Sequence, residues 1–198
     1  MKKALIIFQK NAELGKVKTR LAKDVGNEKA LEIYNYLTNF THDLIQKLDV
    51  DKFLFYSDYL PENQNFPEDY HLKIQTGNDL GERMFNAFKE VKSFGYESVV
   101  IVGTDCIELT MEILETAFDK LENTDFVVGP AIDGGYYLLG STKLDKSIFM
   151  DKTWSSNTVF SDTIKNLEEN EASYFLLPIL SDIDTVDDLK ELKLKFEC

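Results

Sequence analysis

Val99-Val100-Ile101-Val102-Gly103-Thr104-Asp105-Cys106 holds the reading that frames the whole chain. Four consecutive β-branched apolar residues stop at a glycine, and a carboxylate follows two positions later. A run that is apolar at every position suits a strand buried on both faces, because a half-buried strand would alternate with polar residues. Ala4-Leu5-Ile6-Ile7-Phe8 repeats the pattern near the start of the chain. These two runs predict the centre of a sheet.

Working outward, apolar runs alternate with helical periods. A polar segment from Gln9 to Gly26 leads into a helix with apolar positions Ala30, Ile33, Tyr34, Leu37, Phe40, Leu44, Ile45 and Leu48, spaced by three and four. Strands are expected over Lys52–Ser57 and Leu72–Gln75, separated by a surface loop from Tyr59 to Tyr70. A helix follows over Asp79–Phe94. Beyond the central strand come a helix from about Thr110 to Leu121, with Thr110 as N-cap, and strands at Phe126–Val128 and Tyr136–Leu139. A helix over Asn157–Asn170, a strand at Tyr174–Leu177 and a closing amphipathic helix over Val186–Lys195 complete the pattern. No internal repeat or linker interrupts it. The alternation predicts one α/β domain over residues 1–198, a Rossmann-like three-layer α/β/α fold with a mostly parallel sheet covered on both faces.

Composition narrows the function classes. The 198 residues carry 35 acidic against 22 basic side chains, a formal charge of −13. That surface repels nucleic acid and anionic lipid, so neither is expected as a partner. A small phosphorylated ligand needs only a local cluster of donors and a divalent cation. Cys106 and Cys198 are too few and too distant for a disulfide framework or zinc site. The five apolar residues after Met1-Lys2-Lys3 are too short for a signal-peptide core, and no stretch approaches a membrane span. The expectation is a cytoplasmic protein without membrane insertion.

In parallel sheets ligands sit beyond the carboxyl ends of the strands, here after Phe8, Val102 and Val128. After the first strand, Gly15-Lys16-Val17-Lys18-Thr19-Arg20-Leu21 packs three cations into five residues. Lys neutralises polyphosphate as a point charge and Arg grips it with a fork, so Lys18 and Arg20 are candidate phosphate ligands; a solvated basic loop is the plain alternative. The spacing is not that of a P-loop. Asp105 stands where a carboxylate can hold Mg²⁺ or Mn²⁺ against phosphate oxygens, or simply cap a turn. Before the last helix, Asp182-Ile183-Asp184 supplies further acids. Asp184 is the better candidate metal ligand, although capping of the helix is again possible.

In Asp133-Gly134-Gly135, Asp-Gly is a hairpin signal, and the paired glycines leave amides facing a ligand; Asp133 could orient an acceptor hydroxyl or contact the metal. Gly77-Asn78-Asp79-Leu80-Gly81-Glu82-Arg83 opens a helix whose free amides suit an anion or base edge, with Asn78 or Asp79 as ordinary caps. Trp154 is the sole tryptophan, expected first in the core and second in substrate stacking. His42, on the polar side of its helix, and His71, at a strand start, are read as structural.

Taken in order, the segments Gly15–Leu21, Gly77–Met84, Gly103–Cys106, Gly129–Gly140 and Asp182–Leu189 resemble a GT-A-like family usually labelled "radical SAM/selenodomain-associated transferase 1", or simply glycosyltransferase. The resemblance spans nearly the whole chain. The family is similar to the wider nucleotide-diphospho-sugar transferase superfamily, which includes molybdenum-cofactor and phospholactate guanylyltransferases. The resemblance implies that Lys18-Thr19-Arg20-Leu21 serves as phosphate-binding loop, although the superfamily's glycine-rich lead-in is missing. It implies that Asp105 and Asp184 bind metal; Ile107 stands where the family usually has proline. No DxD triplet follows the central strand, which keeps nucleotidyl transfer open beside glycosyl transfer.

The expected function is a metal-dependent transferase using a nucleoside-diphosphate sugar and Mg²⁺ or Mn²⁺. Asp105 and Asp133 are the catalytic candidates, Asp105 and Asp184 the metal ligands. Lys18, Arg20, Gly77, Gly81, Arg83, Gly134, Gly135 and Trp154 are expected to bind nucleotide or nucleotide sugar. The rivals are a nucleotidyltransferase that releases pyrophosphate from a triphosphate and a non-catalytic nucleotide-binding protein.

Overall fold

A computed structural model describes residues 1–62, 66–150, 152–154 and 156–191. Its centre is a seven-stranded sheet in the order β3-β2-β1-β4-β6-β5-β7. In chain order these are β1 Lys3–Gln9, β2 Asp51–Tyr56, β3 Tyr70–Ile74, β4 Ser98–Val102, β5 Phe126–Pro130, β6 Tyr136–Ser141 and β7 Tyr174–Leu176. The run Val99–Val102 is central: Val100 pairs with Leu5 of parallel β1 on one side and with Gly140 of antiparallel β6 on the other. All the other pairings are parallel except β5 with β6, so β6 alone runs against the rest of the described sheet.

The all-apolar strands are explained by how their residues divide. Successive side chains point to opposite faces. Leu5, Ile7, Leu54, Val100 and Val102 join one core cluster, whereas Ala4, Ile6, Phe53, Val99 and Ile101 join another. Helix α4, Met111–Lys120, covers the first face with Leu114, Ala117 and Phe118. Helices α3, Leu80–Ser93, and α5, Val159–Glu169, cover the second through residues such as Phe88, Val91 and Leu167. This is the expected single-domain α/β/α arrangement.

Helix α2, Asn27–Ile45, matches the long periodic segment and ends three residues before Leu48. One helix escaped the sequence pattern: α1, Thr19–Val25, lies within the segment read as a polar loop. Its one fully buried side chain, Leu21, joins Ile33, Leu37, Ile183 and Leu189 in a small third cluster. Two turns anchored by one leucine produce no amphipathic period. The closing helix α6 is described over Val186–Glu191, and the rest of its expected span lies outside the described residues. Residues 63–65 of the expected surface loop lie outside them too. Among the described residues no helix is long and apolar enough to cross a membrane.

Thr110 caps α4 as read, its side chain accepting from the Ile113 amide at 3.3 Å. Thr110→Ala removes that acceptor and is expected to lower stability by about 1 kcal/mol, measured as a shift in urea midpoint at unchanged slope.

Candidate functional site

The site is built around one ammonium group. β1 ends at Gln9, and the chain returns to the sheet's carboxyl edge at Lys18, which takes a left-handed conformation (φ 46°, ψ 45°) immediately before α1. This turn aims Lys18 inward. Its Nζ lies 3.0 Å from Asp105 Oδ2 and 3.1 Å from Asp184 Oδ1. The Lys18 side chain is 4% exposed, against 42% for Asp105 and 44% for Asp184. Burial alone would lower the Lys18 pKa, but the two carboxylates outweigh it and raise it. Arg20 stands further out, with Nη1 3.7 Å from Asp184 Oδ2.

Two segments remote in sequence supply the carboxylates, and backbone bonds hold them in register. Asp105 follows the end of β4, and its carbonyl accepts from the Ile183 amide at 3.0 Å. The amides of Asp184 and Thr185 both donate to Asp188 Oδ2, at 2.9 and 2.6 Å. Asp188 therefore fixes the approach to α6. Asp182 sits beside them, partly buried; burial first, and the Asp105 charge second, push its carboxyl up to about 7.

The cleft above these groups has two lobes that share Phe8, Leu80, Gly103, Asp105 and Asp133. The first, about 420 Å³, is lined by Gln9, Lys18, Thr19, Arg20, Tyr34 and Gln75. The second, about 360 Å³, is walled by Met84, Leu109, Tyr136, Tyr137, Trp154 and Val159, with Asp182 among them. Asp133 reaches this position because β5 and β6 form the hairpin that Asp-Gly signalled. The turn is closed by Gly135 donating to Asp133 Oδ1 at 2.8 Å.

Thus Lys18, Arg20, Asp105, Asp133, Asp184, Gly135 and Trp154 converge on the cleft, whereas Gly77, Gly81, Arg83 and Gly134 are not among its described lining residues. The latter four buttress it. Arg83 Nε donates to the Gly77 carbonyl at 3.2 Å, tying down the loop before α3. A Cβ on Gly81 would lie 2.0 Å from the Phe149 carbonyl oxygen and 2.6 Å from the Trp154 ring. Gly134 (φ 89°) leaves its carbonyl to accept from the Phe160 amide at 2.8 Å, docking the turn on α5.

Sequence reasoning missed Gln9, Tyr34, Thr104 and Gln75 as lining residues. Tyr34 was legible only as a helix core position, yet its hydroxyl donates to the Lys10 carbonyl at 2.7 Å. His42, read as structural on the polar side of its helix, is half-buried. Its Nε2 lies 2.7 Å from Gln9 Oε1 and its Nδ1 3.3 Å from the Tyr70 hydroxyl. With Gln9 accepting, Nε2 carries the proton and the neutral ring orients a residue of the first lobe. No local signal in the sequence carries that pairing. The other histidine, His71, lies 3.8 Å from Asp51, away from the cleft.

Several known proteins are similar to this chain. Residues 40–156 match the family described as "Uncharacterized protein conserved in bacteria (DUF2064)". The chain belongs to this family. A Desulfovibrio desulfuricans protein of known structure, named as a candidate nucleotide-diphospho-sugar transferase, is 31% identical. The match covers 100% of this chain and 89% of that one, with a TM-score of 0.89. A cytidylyltransferase from Leptospira borgpetersenii shares the fold at 14% identity and a TM-score of 0.60, over 98% of this chain and 85% of its own. So does a Mycobacterium tuberculosis protein solved in complex with manganese, at 12% identity and 0.57, over 99% and 100%. No curated protein matches the sequence significantly. This member of the family thus has the fold of the nucleotide-diphospho-sugar transferases and cytidylyltransferases.

Burial lowers the His42 pKa to about 4, whereas an unfolded histidine titrates near 6.5. Between those values the unfolded chain binds a proton that the folded chain refuses. This contribution is therefore complete above about pH 6.5 and is lost as pH falls to about 4. Urea midpoints measured across this window should fall more steeply for the native chain than for His42→Gln, and parallel curves would contradict the assignment. Gly81→Ala is expected to cost about 1–3 kcal/mol by overpacking against Trp154, read by the same unfolding measurement.

Proposed function

We propose that the protein is a metal-dependent transferase of the GT-A-like kind, using a nucleoside-diphosphate sugar bound in the first lobe. The observation that carries this reading is the Lys18 ammonium bridging Asp105 and Asp184 at the carboxyl edge of the sheet, beside Thr19 and Arg20. A cation is already stabilised between two carboxylates that stay partly open to the cleft.

The donor set fits Mg²⁺ or Mn²⁺. Both carboxylates offer hard oxygen ligands, and Mg²⁺ commonly takes one or two protein carboxylates and shares the rest of its shell with water and substrate phosphate. Among the described residues no group of three His, Cys, Asp or Glu side chains could cage an ion by itself. Asp105 and Asp184 would hold the metal, and the chemistry it would supply there is neutralisation of charge developing on the diphosphate leaving group.

The chain's own residues do the remainder. Lys18 keeps the two carboxylates together and offsets their repulsion. Arg20, 61% exposed, presents its guanidinium to the phosphate oxygens. The Gln9 and Gln75 amides line the same lobe and face base or ribose. The acceptor oxygen bonds to the anomeric carbon as the bond from that carbon to the diphosphate oxygen breaks. Nucleoside diphosphate leaves with the electron pair, and the acceptor proton passes to the Asp133 carboxylate between the lobes. Gly77, Gly81, Arg83 and Gly134 act by shaping the walls.

A second reading is nucleotidyl transfer, in which the acceptor attacks an α-phosphate and pyrophosphate leaves. The absence of a DxD triplet after β4 favours it, and the same clamp would serve.

The test is a thermal-shift panel of nucleoside triphosphates and nucleoside-diphosphate sugars with Mg²⁺, Mn²⁺ or EDTA. A ligand at a hundredfold its dissociation constant adds about 2.7 kcal/mol, or roughly 5–11 °C for a domain of this size. A shift that needs metal, appears with a diphospho-sugar and disappears in Asp105→Asn is the expected result. A shift confined to triphosphates transfers the assignment to the second reading. Undiminished metal-dependent turnover in Asp105→Asn would overturn the metal site.

A further inference from the structure

The two lobes differ in chemistry more than in size, and the difference bears on what the transferase modifies. The first holds the cations of the α1 loop, Lys18 and Arg20, with the hydroxyl of Thr19. The second contains neither Lys18 nor Arg20; among its described lining residues Lys10, at the shared rim, is the one cation. Against Lys10 stand Asp105, Asp133, Asp182 and Asp184. Lys18 already engages Asp105 and Asp184, which leaves Asp133 and Asp182 as the acids outside that ion-pair cluster.

The remaining wall is apolar and aromatic. Trp154 meets Tyr136 edge to face, with centroids 6.4 Å apart and planes at 86°. The Tyr136 hydroxyl is turned toward Met84 Sδ at 3.8 Å. Leu109 and Val159 extend the surface. A corner of two rings at right angles offers one ring face and one ring edge to a guest, suited to a flat or aliphatic portion of a small molecule.

We propose that the second lobe is the acceptor site, and that the acceptor is an uncharged or cationic small molecule with an apolar or aromatic portion, not a phosphorylated or carboxylated one. This rests on the transferase reading of the first lobe. The second lobe sets Lys10 alone against four acids, whereas the first sets Lys10, Lys18 and Arg20 against three, so an anionic acceptor is disfavoured in the second and the phosphates of the donor find their cations in the first. Charge thereby sorts the two substrates between lobes that share one floor. The hydroxyl or amine to be modified then comes to the rim beside Asp133, where the lobes meet.

Trp154 reports on this lobe directly, because it is the only tryptophan in the chain. Its fluorescence should be followed while the full chain is titrated with benzyl alcohol, benzylamine and benzyl phosphate, one ring bearing three charges. EDTA is present so that no stray cation recruits the phosphate. Benzyl alcohol and benzylamine are expected to perturb Trp154 at concentrations at least about tenfold below benzyl phosphate, the order set by a phosphate facing a lobe with one cation against four acids. Asp133→Asn, an exposed position, should narrow that gap by about threefold by removing one of them. Benzyl phosphate acting at the same or lower concentration than benzyl alcohol would overturn the proposal. So would no response to the alcohol and the amine up to their solubility limits. Nucleotide binding by thermal shift is measured separately. A nucleotide shift with the wrong benzyl order sinks the acceptor assignment alone, and the right order without any nucleotide shift sinks the donor reading instead.

Discussion

An ammonium group 4% exposed to solvent must recover several kcal/mol of lost hydration, and a single ordinary contact does not supply it. At Lys18 two carboxylates do. That requirement organises the site: it draws the segment after β4 and the segment before α6 to one point. It also holds the α1 loop down on the sheet through a backbone conformation that few non-glycine residues adopt. The hydrogen bond from the Ile183 amide to the Asp105 carbonyl and the Asp188 clamp on Asp184 and Thr185 follow the same convergence. Two carboxylates drawn to one ammonium would otherwise repel one another, and the cation between them offsets that repulsion at the cleft floor.

The sheet explains why this point lies where it does. Its strands are buried on both faces, so polar chemistry is excluded from their length and expelled to their ends. β1 and β4 run in parallel and open at the same edge, placing Phe8, Gly103 and Asp105 side by side. The antiparallel insertion of β6 between β4 and β5 changes the geometry of that edge. It converts a crossover into a hairpin whose turn carries Asp133 across to the cleft. The glycines around it serve close packing: Gly81 admits Trp154, and Gly134 admits the Asn157 backbone just ahead of α5.

On the proposed reading the architecture separates two tasks. Cations and a hydroxyl gather on the α1 side, where polyphosphate would be met. Rings, aliphatic side chains and Asp182 gather on the side of Trp154. On a chain with a formal charge of −13 the local basic cluster of Lys16, Lys18 and Arg20 stands out.

By itself the sequence determined the layers, the order of the elements and the strand ends at which chemistry gathers. Burial on both faces leaves an unbroken apolar run such as Val99–Val102, and a helix packed on one side leaves the 3–4 spacing of α2; both are local patterns. Asp105 and the Asp133 hairpin were legible for the same reason, since each follows directly on a strand or turn signal, and Lys18 was legible as one of three cations in five residues. Only the tertiary structure decided that Lys18 faces carboxylates and that Asp184 meets it. It also decided that α1 exists on the strength of one buried leucine, and that His42 orients Gln9 from within. Those outcomes depend on partners far apart along the chain, brought together by sheet pairing, and no window of neighbouring residues carries that information.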